Sequence, residues 1–207
     1  MANAEFFNKV TYENIKQAYN RCNYVFFTQG DYNLNIFGIR NDLNRDSNNF
    51  NDVLGIVYKV NGNWVVKKYD ATTDPGAKVR LAPVSTSGTA ILVPNQYRSS
   101  WKIGLHKGKY NALVQAKPVS VYRDKNKDSK LDMNPSTIET GMFGINIHRA
   151  TSNANYPSKL VDSWSAGCQV VGSYNDFQEF MSIVNKASKL YGPKFTYTLF
   201  TSSQFLG

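Results

Sequence analysis

Apolar and polar positions change period several times along the chain, and each change marks an element. Tyr12, Ile15, Ala18 and Tyr19 recur at helical spacing behind Thr11, with Glu13 in the first turn, which predicts a short helix over about 11–20. Tyr32, Leu34 and Ile36 alternate with polar residues, the period of a half-buried strand. Residues 41–51 (NDLNRDSNNFN) carry no period and are rich in Asn and Asp, so they read as a loop. VLGIVYKV and NWVVKKY flank Asn61-Gly62, a dipeptide that accepts positive φ at both central positions of a tight turn, and predict a hairpin. Asp74-Pro75-Gly76 is a second turn, and residues 89–93, 112–115, 119–122 and 142–148 read as strands. From about Asn175 or Asp176, the residues Phe177, Phe180, Met181, Val184 and Ala187 or Leu190 form one apolar stripe that Gly192-Pro193 stops, the pattern of a core-facing helix. Residues 195–200 (FTYTLF) alternate and close the chain as a strand. The sum is an α+β fold, mainly β, with an N-terminal helix and one late helix.

Composition sharpens this picture. A chain of 207 residues suits one domain with a small extension, read as a helical extension over 1–30 and a single domain over 31–207, and it buries a core without covalent staples. Aromatic residues at 14% favour strands, and no apolar run is long enough for membrane insertion as a helix. The 24 basic residues against 15 acidic ones, net +9, suit polyanionic partners such as a bacterial wall, or equally serve to keep the chain soluble. Those charges are scattered, with no zinc finger or RNP-like aromatic motif, so nucleic acid is not the expected partner. The two cysteines, Cys22 and Cys168, are too few for a disulfide scaffold, although a bridge between them is open. The first residues lack a basic start followed by an apolar core, so no secretory signal is expected.

Candidate chemistry concentrates where the rare residues sit. His106 and His148 are the only histidines, and His is the side chain best suited to general-base work near neutral pH. His148 ends the apolar run FGINIH, and after sixteen intervening residues Ser165-Ala166-Gly167-Cys168 brings a thiol beside a turn. Cys168 is a candidate nucleophile, and the turn offers the Gly167 and Cys168 N–H groups as oxyanion donors. A free Cys is equally at home as a small buried hydrophobe. His106, beside Lys107 and Lys109, reads as a surface residue or as a cleft-rim substrate contact, and Trp101 and Trp164 read as core or as cleft walls.

The pattern H-x16-S-x-G-C over residues 145–171, with the Cys opening a strand (CQVV), resembles the catalytic motif of the L,D-transpeptidase family, and the surrounding wording (GTAILVPNQY, WKIGLHKGKY, GINIHRATSN) looks like phage-encoded members. The resemblance implies a β-sandwich or curved mixed sheet acting on bacterial peptidoglycan with no required cofactor. It implies Cys168 as nucleophile, His148 as the base that makes the thiolate and protonates the leaving amine, and the Arg149 carbonyl as the group orienting that imidazole. Ser165 and Gly167 would shape the loop, and the Gly167 and Cys168 amides would line the oxyanion hole. Ala166 stands where the family often has His or another polar residue, and Gln169-Val170-Val171 stand where it often has Arg or Asn, so Arg149 reads either as the replacing cation for the substrate carboxylate or as a solvated surface arginine. The expected activity is cleavage of stem peptides through a thioacyl-enzyme by a phage lytic or virion-associated enzyme, with virion proteins as further partners. The alternatives are acyl transfer and a non-catalytic wall-binding or virion domain. A zinc site from His106, His148 and Cys168 lacks HExxH or CxxC spacing.

One further motif stands apart. Asp124, Asn126, Asp128 and Asp132 follow D-x-N-x-D-x-x-x-D, alternate oxygens suited to structural calcium, although Pro135 replaces the closing Glu and Lys125, Lys127 and Lys130 interleave. The other reading is a polar surface loop.

Overall fold

The computed structural model describes residues 7–42, 48–128 and 130–207. Part of the stretch read for an export signal (1–6), the middle of the Asn-rich loop (43–47) and Ser129 in the acidic loop lie outside the described residues.

Helix α1 (Tyr12–Arg21) starts where Thr11 Oγ1 accepts the Asn14 N–H. It leads to β1 (Asn35–Arg40), β2 (Asp52–Val60) and β3 (Asn63–Thr72). The Asn61-Gly62 turn has φ of +49° and +78° and pairs Val60 with Asn63, so the hairpin forms as the sequence predicts. The strand expected from Tyr32 begins only at Asn35, because Tyr32 sits at φ +56°. After the Asp74 bend come the short helix α2 (Ala77–Leu81), β4 (Thr89–Leu92), β5 (Asn95–His106), β6 (Tyr110–Gln115) and β7 (Val119–Asp124). A 3-10 turn (Pro135–Thr137), β8 (Glu139–Gly141), β9 (Ile147–Arg149) and β10 (Gln169–Val171) follow, then α3 (Tyr174–Tyr191), β11 (Lys194–Thr201) and α4 (Ser202–Leu206).

The fold is α+β and mainly β, and its main sheet is mixed, with the parallel pairs β1–β11 and β9–β10 among antiparallel ones. Eight strands close into a barrel in the order β1-β11-β5-β6-β9-β10-β3-β2, because β1 pairs with β11 on one side and β2 on the other. A separate sheet, β4-β7-β8, carries the remaining three. Residues from all eight barrel strands, among them Ile36, Leu54, Tyr69, Trp101, Ile147 and Tyr197, join one interior cluster with Phe177, Phe180 and Val184 of α3. Leu190, one of the two residues read as the end of the α3 stripe, is exposed. The N-terminal helix is docked rather than pendant: Ile15, Ala18 and Tyr19 pack with Phe37, Val57, Phe200 and Phe205 on the outer face of β1, β2 and β11.

One expected strand is mostly absent. Of residues 142–148 only Ile147 and His148 lie in β9. The Gln115 amide takes the place of a strand partner, its Oε1 accepting the Phe143 and Ile145 N–H groups and its Nε2 donating to the Gly141 and Lys117 carbonyls. Gly144 at φ +71° bends the chain between them.

Candidate functional site

Topology sets the segments that carry His148 and Cys168 on adjacent strands. Strands β9 and β10 run parallel, with Ile147 opposite Gln169 and His148 opposite Val170. A parallel pair needs a long crossover, here residues 150–168, and Cys168 is its last residue. The Gln169 N–H donates to the Asn146 carbonyl, so the register carries one step further and sets Cys168 level with Asn146. Ile147 and Val171 face the barrel interior, which turns His148 and Val170 to the outer side.

Cys168 is a free, half-buried thiol, and so is Cys22, which leaves no bridge between them. Its Sγ accepts the Asn146 N–H at 3.4 Å and donates to the Gly144 carbonyl at 3.4 Å. No hydrogen bond joins it to either imidazole. Burial pushes the thiol pKa up, against the Asn146 N–H and the Lys107 charge, which pull it down.

The two histidines stack face to face, with ring centroids 3.9 Å apart and planes 23° apart. Both are buried. His148 is lowered to about 3 by burial, then by His106, Lys107 and Arg149, despite its bond to the Arg149 carbonyl. His106 is lowered to about 4 by burial, Lys107 and Arg149. Burial and the surrounding positive charges thus favour the neutral form of both imidazoles at pH 7.

Their tautomers differ. His148 Nδ1 lies 2.9 Å from the Arg149 carbonyl oxygen, which can only accept, so Nδ1 carries the proton and Nε2 the lone pair. Asn146 Oδ1 accepts the Gln115 N–H, which turns its Nδ2 to His106 Nδ1 at 3.1 Å. The His106 Nδ1 lone pair is thereby used and its proton sits on Nε2. Of the two rings, only His148 has a free lone pair for base chemistry.

The loop before Cys168 is braced from within. Ser165 is fully buried; its Oγ accepts the Gly167 N–H at 3.1 Å and donates to the Cys168 carbonyl at 2.8 Å, and its own carbonyl accepts the Gly76 N–H. The Gly167 N–H is thus occupied, contrary to its expected place in an oxyanion hole, and the Cys168 N–H is the remaining amide of the pair. Gly167 itself is held at φ +118°, where a Cβ would run into the Ala90 carbonyl.

A cleft of about 470 Å³ opens beside His148, lined by His106, Lys107, Lys109, Tyr110, Arg149 and Trp164. Trp164 is exposed, as a cleft wall must be, whereas Trp101 is wholly buried and donates its Nε1–H to the Ile145 carbonyl. Sequence reasoning missed Tyr110, Asn146 and Gln115. Tyr110 donates to the Arg149 carbonyl at 3.2 Å and its oxygen lies 3.5 Å from His148 Nδ1. Its signal was the Lys107-Gly108 turn, with φ of +49° and +71°, which pairs Tyr110 with His106.

Among the described residues no group of three or more His, Cys, Asp and Glu is gathered as for a metal ion, whether from His106, His148 and Cys168 or from the acidic loop. In that loop Asp128 accepts the Lys130 N–H and the Asn126 side-chain amide, and Asp124 accepts the Asp132 N–H, the bonds of a polar surface loop. No described helix is long and apolar enough to cross a membrane. Comparison with protein-family models, curated proteins and solved structures gives no match.

Proposed function

We propose that the chain is a cysteine-dependent enzyme of L,D-transpeptidase type that cleaves peptidoglycan stem peptides, with hydrolysis favoured over transfer, in a phage lytic or virion-associated setting. The observation that carries this reading is His148 pinned through Nδ1 on the Arg149 carbonyl, on the strand that pairs in parallel with the one Cys168 directly precedes. The basic balance of the chain suits a wall rich in phosphates and carboxylates.

The resting thiol is protonated, so His148 Nε2 takes the Sγ proton as sulfur attacks rather than beforehand. A C–S bond forms at the peptide carbonyl, the Cys168 N–H faces the oxyanion, and the C–N bond breaks as the imidazolium returns its proton to the leaving amine. Water then attacks the thioester, His148 again taking a proton, and the acid and free thiol are released.

The test is incubation of the full chain with sacculi and mass spectrometry of the soluble fragments, beside Cys168→Ala and His148→Ala. Loss of cross-links or of terminal D-alanine with the wild type alone supports the reading, and new cross-links would shift it to transfer. A second reading, a non-catalytic wall-binding domain, is favoured by the Sγ bonds to Asn146 and Gly144 in place of an imidazole. It requires that wild type and Cys168→Ala bind sacculi equally and that neither alters them.

A further inference from the structure

The acidic loop after β7 borders a groove that lies outside the cleft beside His148. A hollow of about 400 Å³ has Lys125 and Lys127 on one wall and Ser85, Thr86 and Gly88 on the other. A second hollow, of about 470 Å³, adjoins it, sharing Ser85 and Gly88 and running on to Lys107. Among the described residues no acidic side chain lines either one. Lys107, Lys125 and Lys127 are exposed, and no ion pair among the described residues engages them. The bonding of the acidic loop accounts for this segregation. Asp128 accepts the Lys130 N–H at 2.7 Å and the Asn126 side-chain amide at 3.1 Å, and buried Asp124 accepts the Asp132 N–H. The carboxylates thus spend their oxygens on the loop itself, while the interleaved Lys125 and Lys127 line the groove. Gly88, at φ +95°, lets the walls touch: a Cβ there would meet the Asp124 carbonyl and the Lys125 stem.

Cations spaced along a groove, with hydroxyls opposite, suit a chain of phosphates, for which the lysine ammonium is a compact point charge. The lining also selects the kind of chain. Single-stranded nucleic acid is held by rings on which its bases stack. Among the described residues the first hollow has no ring, and Phe143 in the second is covered by the Arg123 guanidinium, 4.6 Å from its centroid. That arginine is itself engaged by Glu139 at 2.8 Å. We propose that this groove binds a linear poly(alditol phosphate), a phosphodiester polymer without bases, along Lys127, Lys125 and Lys107. The ligand is chemically distinct from a stem peptide, and its binding needs no chemistry at Cys168. Lys107 also lines the cleft beside His148, so the groove runs up to that cleft and a held polymer keeps the chain on the surface that carries it.

The test titrates poly(glycerol phosphate) into the full chain by calorimetry at several salt concentrations. Affinity is expected to fall with a log–log salt slope of about −2, the value for three phosphates of a single strand. A Lys125→Gln, Lys127→Gln protein is expected to bind at least about tenfold more weakly at low salt, with the slope falling to about −1. A Lys102→Gln, Lys189→Gln protein has the same net charge, loses two exposed lysines outside the groove, and is expected to bind within about twofold of the wild type. Equal losses in the two variants, or no binding by the wild type, overturn the groove. A single-stranded oligonucleotide of equal charge is expected to bind more weakly, and equal or tighter binding overturns the choice of a polymer without bases. Polymer binding by a chain that cuts no sacculi removes the hydrolase reading and leaves the groove standing. Cleavage of sacculi by a chain that ignores the polymer does the reverse.

Discussion

A cysteine is a good nucleophile only as its thiolate, and the surroundings of Cys168 set how much of it exists before substrate arrives. Burial raises its pKa, while one backbone N–H and the charge of Lys107 oppose that without reversing it. Nearby His148 offers no help at rest, since it is neutral and makes no bond to sulfur. Alkylation of Cys168 by iodoacetamide is therefore expected to keep accelerating as pH rises from 7 past 9, with no plateau in the acid range. A rate already level at pH 7.5 would mean that a thiolate is stabilised at rest, contrary to the burial and bonding described. An activity optimum well below the pH of thiol alkylation is compatible with this, because in the proposed mechanism the base acts during attack and not before it. The pairing of opposite tautomers at His106 and His148 has the same logic: one ring is committed to Asn146, and the other keeps a lone pair to use.

Elements were legible to the degree that a single period governed them. Helices α1 and α3 and the β2–β3 hairpin announce themselves through stripes, caps and Asn61-Gly62, and they form close to where the pattern places them. The segment before His148 fails for the opposite reason. Its apolar run reads as a strand, yet a side chain from β6 satisfies its backbone, and no local pattern tells a Gln that bonds water from one that replaces a strand. That substitution is testable. Gln115→Ala leaves the buried Ile145 N–H and the Phe143 N–H without acceptors, at a cost of about 2–4 kcal/mol in unfolding free energy, read from the denaturant midpoint at unchanged slope. Gln115→Glu keeps the acceptor oxygens and loses the donor to Gly141 and Lys117, so the order of stability expected is Gln, then Glu, then Ala. The candidate site shows the same division. Scarcity singled out Cys168 and His148, two of only four His and Cys residues in the chain. Tyr110 and Asn146 are two of many Tyr and Asn, and only cross-strand pairing gives them roles.

At the scale of the molecule, the barrel separates two kinds of buried polarity. Inside, Arg40 makes an ion contact with Asp74 at 2.7 Å and donates to the Leu92 and Thr73 carbonyls, while Asp52 accepts the Thr73 and Asn41 N–H groups. Burial pushes both carboxyls up. Gln169 extends this network to the loop before Cys168 through the Gly167 carbonyl, with Tyr197 donating to its Oε1 at 2.8 Å. On the outer side sit the stacked imidazoles, whose shifts run downward. The signs are opposed. A carboxyl raised in the fold binds more protons than the unfolded chain and loses stability as pH rises through its window. A histidine lowered in the fold binds fewer, so stability rises with pH between its folded value and about 6.5 and is lost on acidification. Replacing one histidine isolates that second contribution, because the carboxyls are common to both proteins. His106→Gln keeps an acceptor for Asn146 and removes a group lowered to about 4. It also removes the second cause, after burial, that lowers His148, namely the His106 charge once that ring is protonated. The loss of stability from pH 7 to pH 4.5 is thus expected to be smaller in His106→Gln than in the wild type. The difference accumulates below pH 6.5 at up to about 1.4 kcal/mol per pH unit. Thermal midpoints of the two proteins across that range measure it. Parallel curves would show that His106 is protonated in the fold as readily as in the unfolded chain, and that stacking and burial do not hold the pair neutral.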